Sequence, residues 1–142
     1  IILINGDRSK NFENKLLNIN KKLKFFYAYY KPKNLNQFKN KRLLALSGIG
    51  NPENFFNLLK KYKLKIKDKL VFPDHYIFSK NQILNIKKKA KEKNLKIIMT
   101  EKDFFKIKRF NIKKLDYLRV ALEIKERKKF INEIKKIYDK TY

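Results

Sequence analysis

The 142-residue chain carries 38 lysines and arginines against 13 aspartates and glutamates, a formal charge of +25. Only Arg8, Arg42, Arg109, Arg119 and Arg127 are arginine, and the excess of Lys, Asn, Ile, Phe and Tyr follows A/T-rich codons. A dedicated nucleic-acid reader would favour the planar fork of arginine, so the charge is discounted as a sign of nucleic-acid binding. The chain contains no cysteine, which excludes disulfides and thiolate metal sites, and no apolar run approaches the ~18 residues of a membrane helix. In chain order, Ile1-Ile2-Leu3-Ile4 predicts a buried strand and Asn5-Gly6-Asp7 a turn. Residues 9–20 are polar, with a weak apolar stripe of Phe12, Leu16, Leu17 and Ile19. Residues 23–30 predict an aromatic strand that Pro32 ends. Half-buried packing explains its rings better than base stacking, because no Gly-flanked RNA-binding signature accompanies them.

Residues 31–40 read as a linker, and beyond them strands alternate with helices. Leu43-Leu44-Ala45-Leu46 predicts a short strand. A helix follows from Pro52, with Phe55, Leu58, Leu59 and Tyr62 at helical spacing. A strand near 66–72 leads into a Pro73-Asp74-His75 turn. Ser79 with Gln82 predicts a capping box for a helix to about Asn94 that buries Ile83, Ile86 and Ala90. Leu95 to Met99 is another strand, and Thr100 caps a short helix carrying Phe104, Phe105 and Ile107. Leu118, Val120, Leu122 and Ile124 alternate at strand period. A last helix over about 126–139 is expected to bury Phe130, Ile131, Ile134, Ile137 and Tyr138. The fold class is therefore α/β, a three-layer sandwich around a small, mostly parallel sheet.

Three polar motifs fall at predicted strand ends, where ligands bind in open α/β sheets. In Ser47-Gly48-Ile49-Gly50-Asn51-Pro52, Gly48 and Gly50 permit a tight turn and close backbone approach, Asn51 suits an N-cap, and the helix start offers N–H groups to an anion. A well-built strand-to-helix turn accounts for the same residues. Phe72-Pro73-Asp74-His75 holds the only histidine. Asp74 and His75 suit nucleotide binding, proton relay or a metal-bound phosphate, and equally a capped surface turn. In Thr100-Glu101-Lys102-Asp103, Thr100 and Asp103 resemble a capping box and Lys102 can neutralise a phosphate, although a cap with solvated charges reads as well. No serine elbow occurs, which argues against a hydrolase, and no Gly-x-x-x-x-Gly-Lys-Ser/Thr phosphate loop is present.

In wording and order these motifs, with Phe55-Phe56, Met99 and the following Lys106, resemble the C-terminal half of the lipid A 4'-kinases (tetraacyldisaccharide 4'-kinases). Ile1 to Gly6 resembles the last strand of that family's N-terminal domain. The resemblance implies that residues 1–20 end a truncated N-terminal P-loop domain, 21–40 form an interdomain linker with one linker strand, and 41–142 form the C-terminal α/β domain. A start at Ile1 rather than Met fits a piece of a longer protein. The implied activity is transfer of the ATP γ-phosphoryl group, with Mg²⁺, to the 4'-hydroxyl of tetraacyldisaccharide 1-phosphate, a lipid A precursor, at the anionic cytoplasmic face of the bacterial inner membrane. ATP and Mg²⁺ would be held mainly by the N-terminal domain. This segment would supply no catalytic residue and no metal ligand, and would be inactive alone. Asp74 and His75 map onto the Asp-His that lies near the nucleotide in the family. Gly48, Gly50, Asn51, Thr100, Glu101, Lys102 and Asp103 are expected to shape the rim of the same cleft. The sequence departs from the family at Met99, where a second threonine is common, and at Phe104 and Phe105, where small residues are. The alternatives are a basic nucleic-acid-binding module or a partner-docking α/β module without catalysis.

Overall fold

The computed structural model describes residues 1–139. Two compact units form among these residues: 32–120, and 1–31 together with 121–139. In chain order the elements are β1 (Ile2–Asn5), α1 (Lys10–Ile19), β2 (Phe25–Pro32), a 3₁₀ turn (Leu35–Gln37), β3 (Arg42–Ser47), α2 (Pro52–Lys61), β4 (Lys65–Val71), α3 (Lys80–Glu92), β5 (Lys96–Met99), α4 (Glu101–Lys108), β6 (Asp116–Tyr117), β7 (Val120–Ile124) and α5 (Arg127–Tyr138). The units divide the chain at 31/32 and 120/121 rather than near 20 and 40. The last strand and helix group with the first residues instead of with 41–120.

The 32–120 unit is built on a four-stranded sheet of order β4-β3-β5-β6, parallel at every pairing. Leu43 to Leu46 of β3 form a continuous apolar run because helices cover both faces of the sheet. Leu43 and Ala45 point to the α2 side, where they pack with Phe38, Phe55, Phe56, Leu59 and Ile98. Leu44 and Leu46 point to the α3 and α4 side, among Ile83, Ile86, Ala90, Ile97, Met99 and Ile107. The chain leaves β3 through α2 to β4 on one side, then returns through α3 to β5 on the other side of β3. The direction of winding thus reverses between β3 and β5, and a crevice beyond the carboxyl ends of those strands is where such sheets bind ligands. Lys67 is an extra residue in β4, since Leu43 pairs with Ile66 but Leu44 with Asp68.

The expected linker over 31–40 is instead part of this unit. Phe38 has no exposed surface and sits in the α2-side core. The Asn34 amide donates to the Tyr117 carbonyl at 2.9 Å and accepts from the Arg119 N–H at 2.9 Å. A single aromatic anchor and one bridging amide fix a segment whose composition is otherwise that of a loop.

In the other unit, β1, β2 and β7 form a three-stranded sheet, with β1 parallel to β2. Phe26 and Ala28 are its buried apolar residues, and the Phe130 ring meets Phe26 edge-on at 5.1 Å. Glu13, also buried, accepts from the Arg8 guanidinium at 3.0 Å and from the Tyr27 hydroxyl. The Arg8 hydrogen bond, then that of Tyr27, holds the Glu13 carboxyl below the usual carboxylate range. Two expectations fail here. β1 is half-exposed rather than buried, with Leu3 39% exposed. α5 buries none of its residues: Phe130 is half-buried, while Ile131, Ile134, Ile137 and Tyr138 are exposed. Helical spacing marks an apolar face, but burial needs a second layer against it.

Candidate functional site

All three polar motifs lie at carboxyl ends of adjacent strands of one sheet: Gly48 after β3, Asp74 after β4 and Thr100 after β5. Each turn has a local cause. Asn51 caps α2, its side chain accepting from the Asn54 N–H, and Pro52 takes the first helical position. Thr100 caps α4, its hydroxyl accepting from the Asp103 N–H at 3.1 Å. Pro73 ends β4, and the Phe72, Tyr76 and Phe78 rings close a triangle with centroids 4.9 to 5.1 Å apart, which seats the turn they flank. Ser79 caps α3, but Gln82 does not return to it. The Gln82 amide donates to the Tyr76 hydroxyl at 2.9 Å, so only half of the expected capping box forms.

Asp103 does more than cap. Its side chain has no exposed surface, and its Oδ2 accepts the Gly48 N–H at 2.9 Å and the Thr100 hydroxyl at 2.6 Å. Lys106 Nζ lies 3.3 Å from the Gly48 carbonyl and 3.4 Å from Asp103 Oδ1, closing a small network that ties α4 to the end of β3. The Gly48 N–H is therefore committed within the fold. Gly48 is required for proximity: a Cβ there would come within 3.1 Å of Asp103 Oδ1 and 3.4 Å of the Phe72 Cβ. Gly50 stands in the same relation to the other carboxylate, since its Cβ would lie 3.2 Å from Asp74 Oδ2. The two glycines of the motif make room for one aspartate each.

Asp74 Oδ1 accepts the His75 N–H at 2.9 Å and Lys102 Nζ at 3.1 Å. Lys102, then the His75 N–H, holds the Asp74 carboxyl below the usual carboxylate range. His75 adopts the left-handed region with φ 58°, a conformation histidine tolerates better than most residues. Its imidazole is 80% exposed, with Nε2 3.7 Å from Asp74 Oδ2. Beside it a pocket of about 220 Å³ is lined by His75, Tyr76, Phe78, Lys106 and Arg109. Arg109, which the motifs gave no reason to select, donates to the Phe78 carbonyl at 3.4 Å. Glu101, the first residue of α4, is half-buried and joins none of these bonds. A broader depression of about 820 Å³ opens between α3, Lys96, Ile97 and Asp116, toward the amino end of β5. It is a lysine-rimmed groove to which none of the three motifs contributes. Among the described residues no three His, Asp or Glu side chains cluster as a metal site, and Asp74 is already taken by two donors, so these residues do not by themselves fit Mg²⁺.

An exposed imidazole, a carboxylate and three cations lie beside the switch point of a parallel sheet, and the fold is that of the open α/β class, whose ligands bind at such a point. The chain belongs to the tetraacyldisaccharide-1-P 4'-kinase family, whose model matches residues 1–139. It is 33% identical over 142 residues to the tetraacyldisaccharide 4'-kinase of Pelagibacter ubique (strain HTCC1062), covering 98% of this chain and 45% of that protein. With the tetraacyldisaccharide 4'-kinase of Rickettsia bellii (strain OSU 85-389) it shares 48% identity over 69 residues, 49% of this chain and 22% of that one. The chain thus spans less than half the length of these relatives. A crystal structure of LpxK from Aquifex aeolicus, described as an "apo" form in complex with ATP, matches with a TM-score of 0.52 at 20% identity. It covers 80% of this chain and 36% of that one, and it establishes the shared α/β fold.

Proposed function

We propose that the protein transfers the γ-phosphoryl group of ATP to the 4'-hydroxyl of a tetraacylated disaccharide 1-phosphate, acting peripherally at the cytoplasmic face of a bacterial inner membrane. The observation that carries this reading is the placement of Asp74 and His75 beside the switch-point crevice in a chain of this kinase family. The ATP named in the Aquifex structure supports the choice of nucleotide. Phosphoryl transfer depends on positioning and on neutralising charge that spreads over the transferred group, and Mg²⁺ supplies part of that neutralisation when bound. This chain carries no phosphate loop, so its residues are given cleft closure rather than the transfer step itself. His75 presents an exposed donor to the nucleotide, and Lys106 and Arg109 add positive charge along the pocket wall.

The test is direct. The protein as its gene encodes it, given γ-labelled ATP, Mg²⁺ and tetraacyldisaccharide 1-phosphate, should label the disaccharide at its 4' position. A folded preparation that transfers no label contradicts the reading.

A further inference from the structure

The turn carrying His75 is exposed at Pro73, Asp74 and His75, and among the described residues one side chain from another element holds it. That side chain is Lys102, whose Nζ donates to Asp74 Oδ1 at 3.1 Å. The same oxygen accepts the His75 N–H, and this bond supports a left-handed backbone that costs free energy when unsupported. Lys102 acts from a fixed base. It occupies the first turn of α4, whose next residue, Asp103, is fully buried and bonded to the Gly48 N–H. Asp74 in turn approaches the Gly50 backbone where a Cβ would stand 3.2 Å away. A chain of contacts therefore runs from the end of β3 through Asp103 and Lys102 to Asp74 and His75.

We propose that Lys102 is a positioning residue: it holds Asp74, and through Asp74 the His75 imidazole, at a set place beside the crevice between β3 and β5. This rests on the nucleotide-site reading of His75. Lys102 and Asp74 are half-exposed, so their ion pair adds little to stability, and its loss falls on geometry instead. A displacement of about an ångström at such a site costs up to about a hundredfold in rate.

The experiment is a double-mutant cycle in the protein as its gene encodes it, with His75→Ala as reference. Lys102→Met is expected to lower kcat/KM for ATP by about tenfold. It should melt as wild type does, and Lys102→Arg should recover most of the loss. In an Asp74→Ala background Lys102→Met should change kcat/KM by less than about twofold, because both act through one path. His75 is the only histidine of these 142 residues, and its imidazole NMR resonance, assigned by its loss in His75→Ala, should shift or broaden in Lys102→Met in the absence of ATP. Full additivity with Asp74→Ala overturns the proposal and makes Lys102 a direct ligand contact. An unmoved imidazole resonance and unchanged kinetics in Lys102→Met also overturn it. If His75→Ala leaves ATP kinetics intact while the resonance still moves, the positioning role stands and the nucleotide-site reading falls.

Discussion

Asp103 is the residue on which the architecture of the crevice turns, and Asp103→Ala is the sharpest perturbation of it. The substitution removes the acceptor of the Gly48 N–H at 2.9 Å and of the Thr100 hydroxyl at 2.6 Å, and the partner of Lys106 at 3.4 Å. Gly48 is buried, so its N–H is left without an acceptor where water has little access. An orphaned buried donor costs about 1–3 kcal/mol, and losing a charged acceptor adds a similar amount, so a loss of about 3 kcal/mol is expected. At about 4 °C per kcal/mol for a domain of this size, the melting temperature should fall by about 12 °C. Asp103→Asn keeps the shape and one acceptor and should cost less than half as much. Lys102→Ala, on the same helical turn but half-exposed, should be almost silent. Thermal melts followed by circular dichroism separate the three. An Asp103→Ala melt within about 2 °C of wild type would refute the claim that this carboxylate ties α4 to β3.

Phe38→Ala should destabilise by about 3–5 kcal/mol in denaturant titration, as a core deletion does, whereas a linker phenylalanine would cost almost nothing. Ser47 is fully buried and its hydroxyl has no partner among the described residues, so Ser47→Ala should leave the denaturation midpoint unchanged or raise it. Glu13, Asp68, Asp74 and Glu133 are held below the usual carboxylate range, chiefly by hydrogen bonds from Arg8, Lys93, Lys102 and Lys24 respectively. Depressed folded-state values stabilise above the unfolded value of about 4 and lose that effect as pH falls through the folded value. Melting temperature should therefore hold from pH 7 to 5 and drop below about 4; a rise in acid would contradict this. Binding to mixed-sequence DNA should be absent at moderate salt, and persistent binding would revive a nucleic-acid role for the +25 charge.

Local chemistry made much of the 32–120 unit legible. The apolar run Leu43–Leu46 marked a strand covered on both faces, and Ser79 and Thr100 marked helix starts at the positions where they cap. What sequence missed depends on partners distant in the chain. Asp103 looks like a capping residue from its neighbours alone, because its bond to Gly48 joins positions 55 apart. Phe38 looks like linker because its core is assembled from α2, β3 and β5. The Gln82 side chain is turned to the Tyr76 hydroxyl, to which its amide N–H donates, a partner six residues back that the capping-box pattern does not reveal. The apolar faces of β1 and α5 were read as buried because periodicity reports which residues share a face, not what lies against it. The two-residue β6 is too short to show any period.

The most direct measurement is the steady-state ATP dependence of disaccharide phosphorylation by wild type and by His75→Ala. His75 is exposed and makes no buried contact, so the variant should stay folded, losing only about 1–2 kcal/mol for alanine in the left-handed backbone. Its kcat/KM for ATP should nevertheless fall by at least about tenfold. Equal ATP kinetics in the two proteins would remove His75 from the nucleotide site and leave the three converging turns as structure alone.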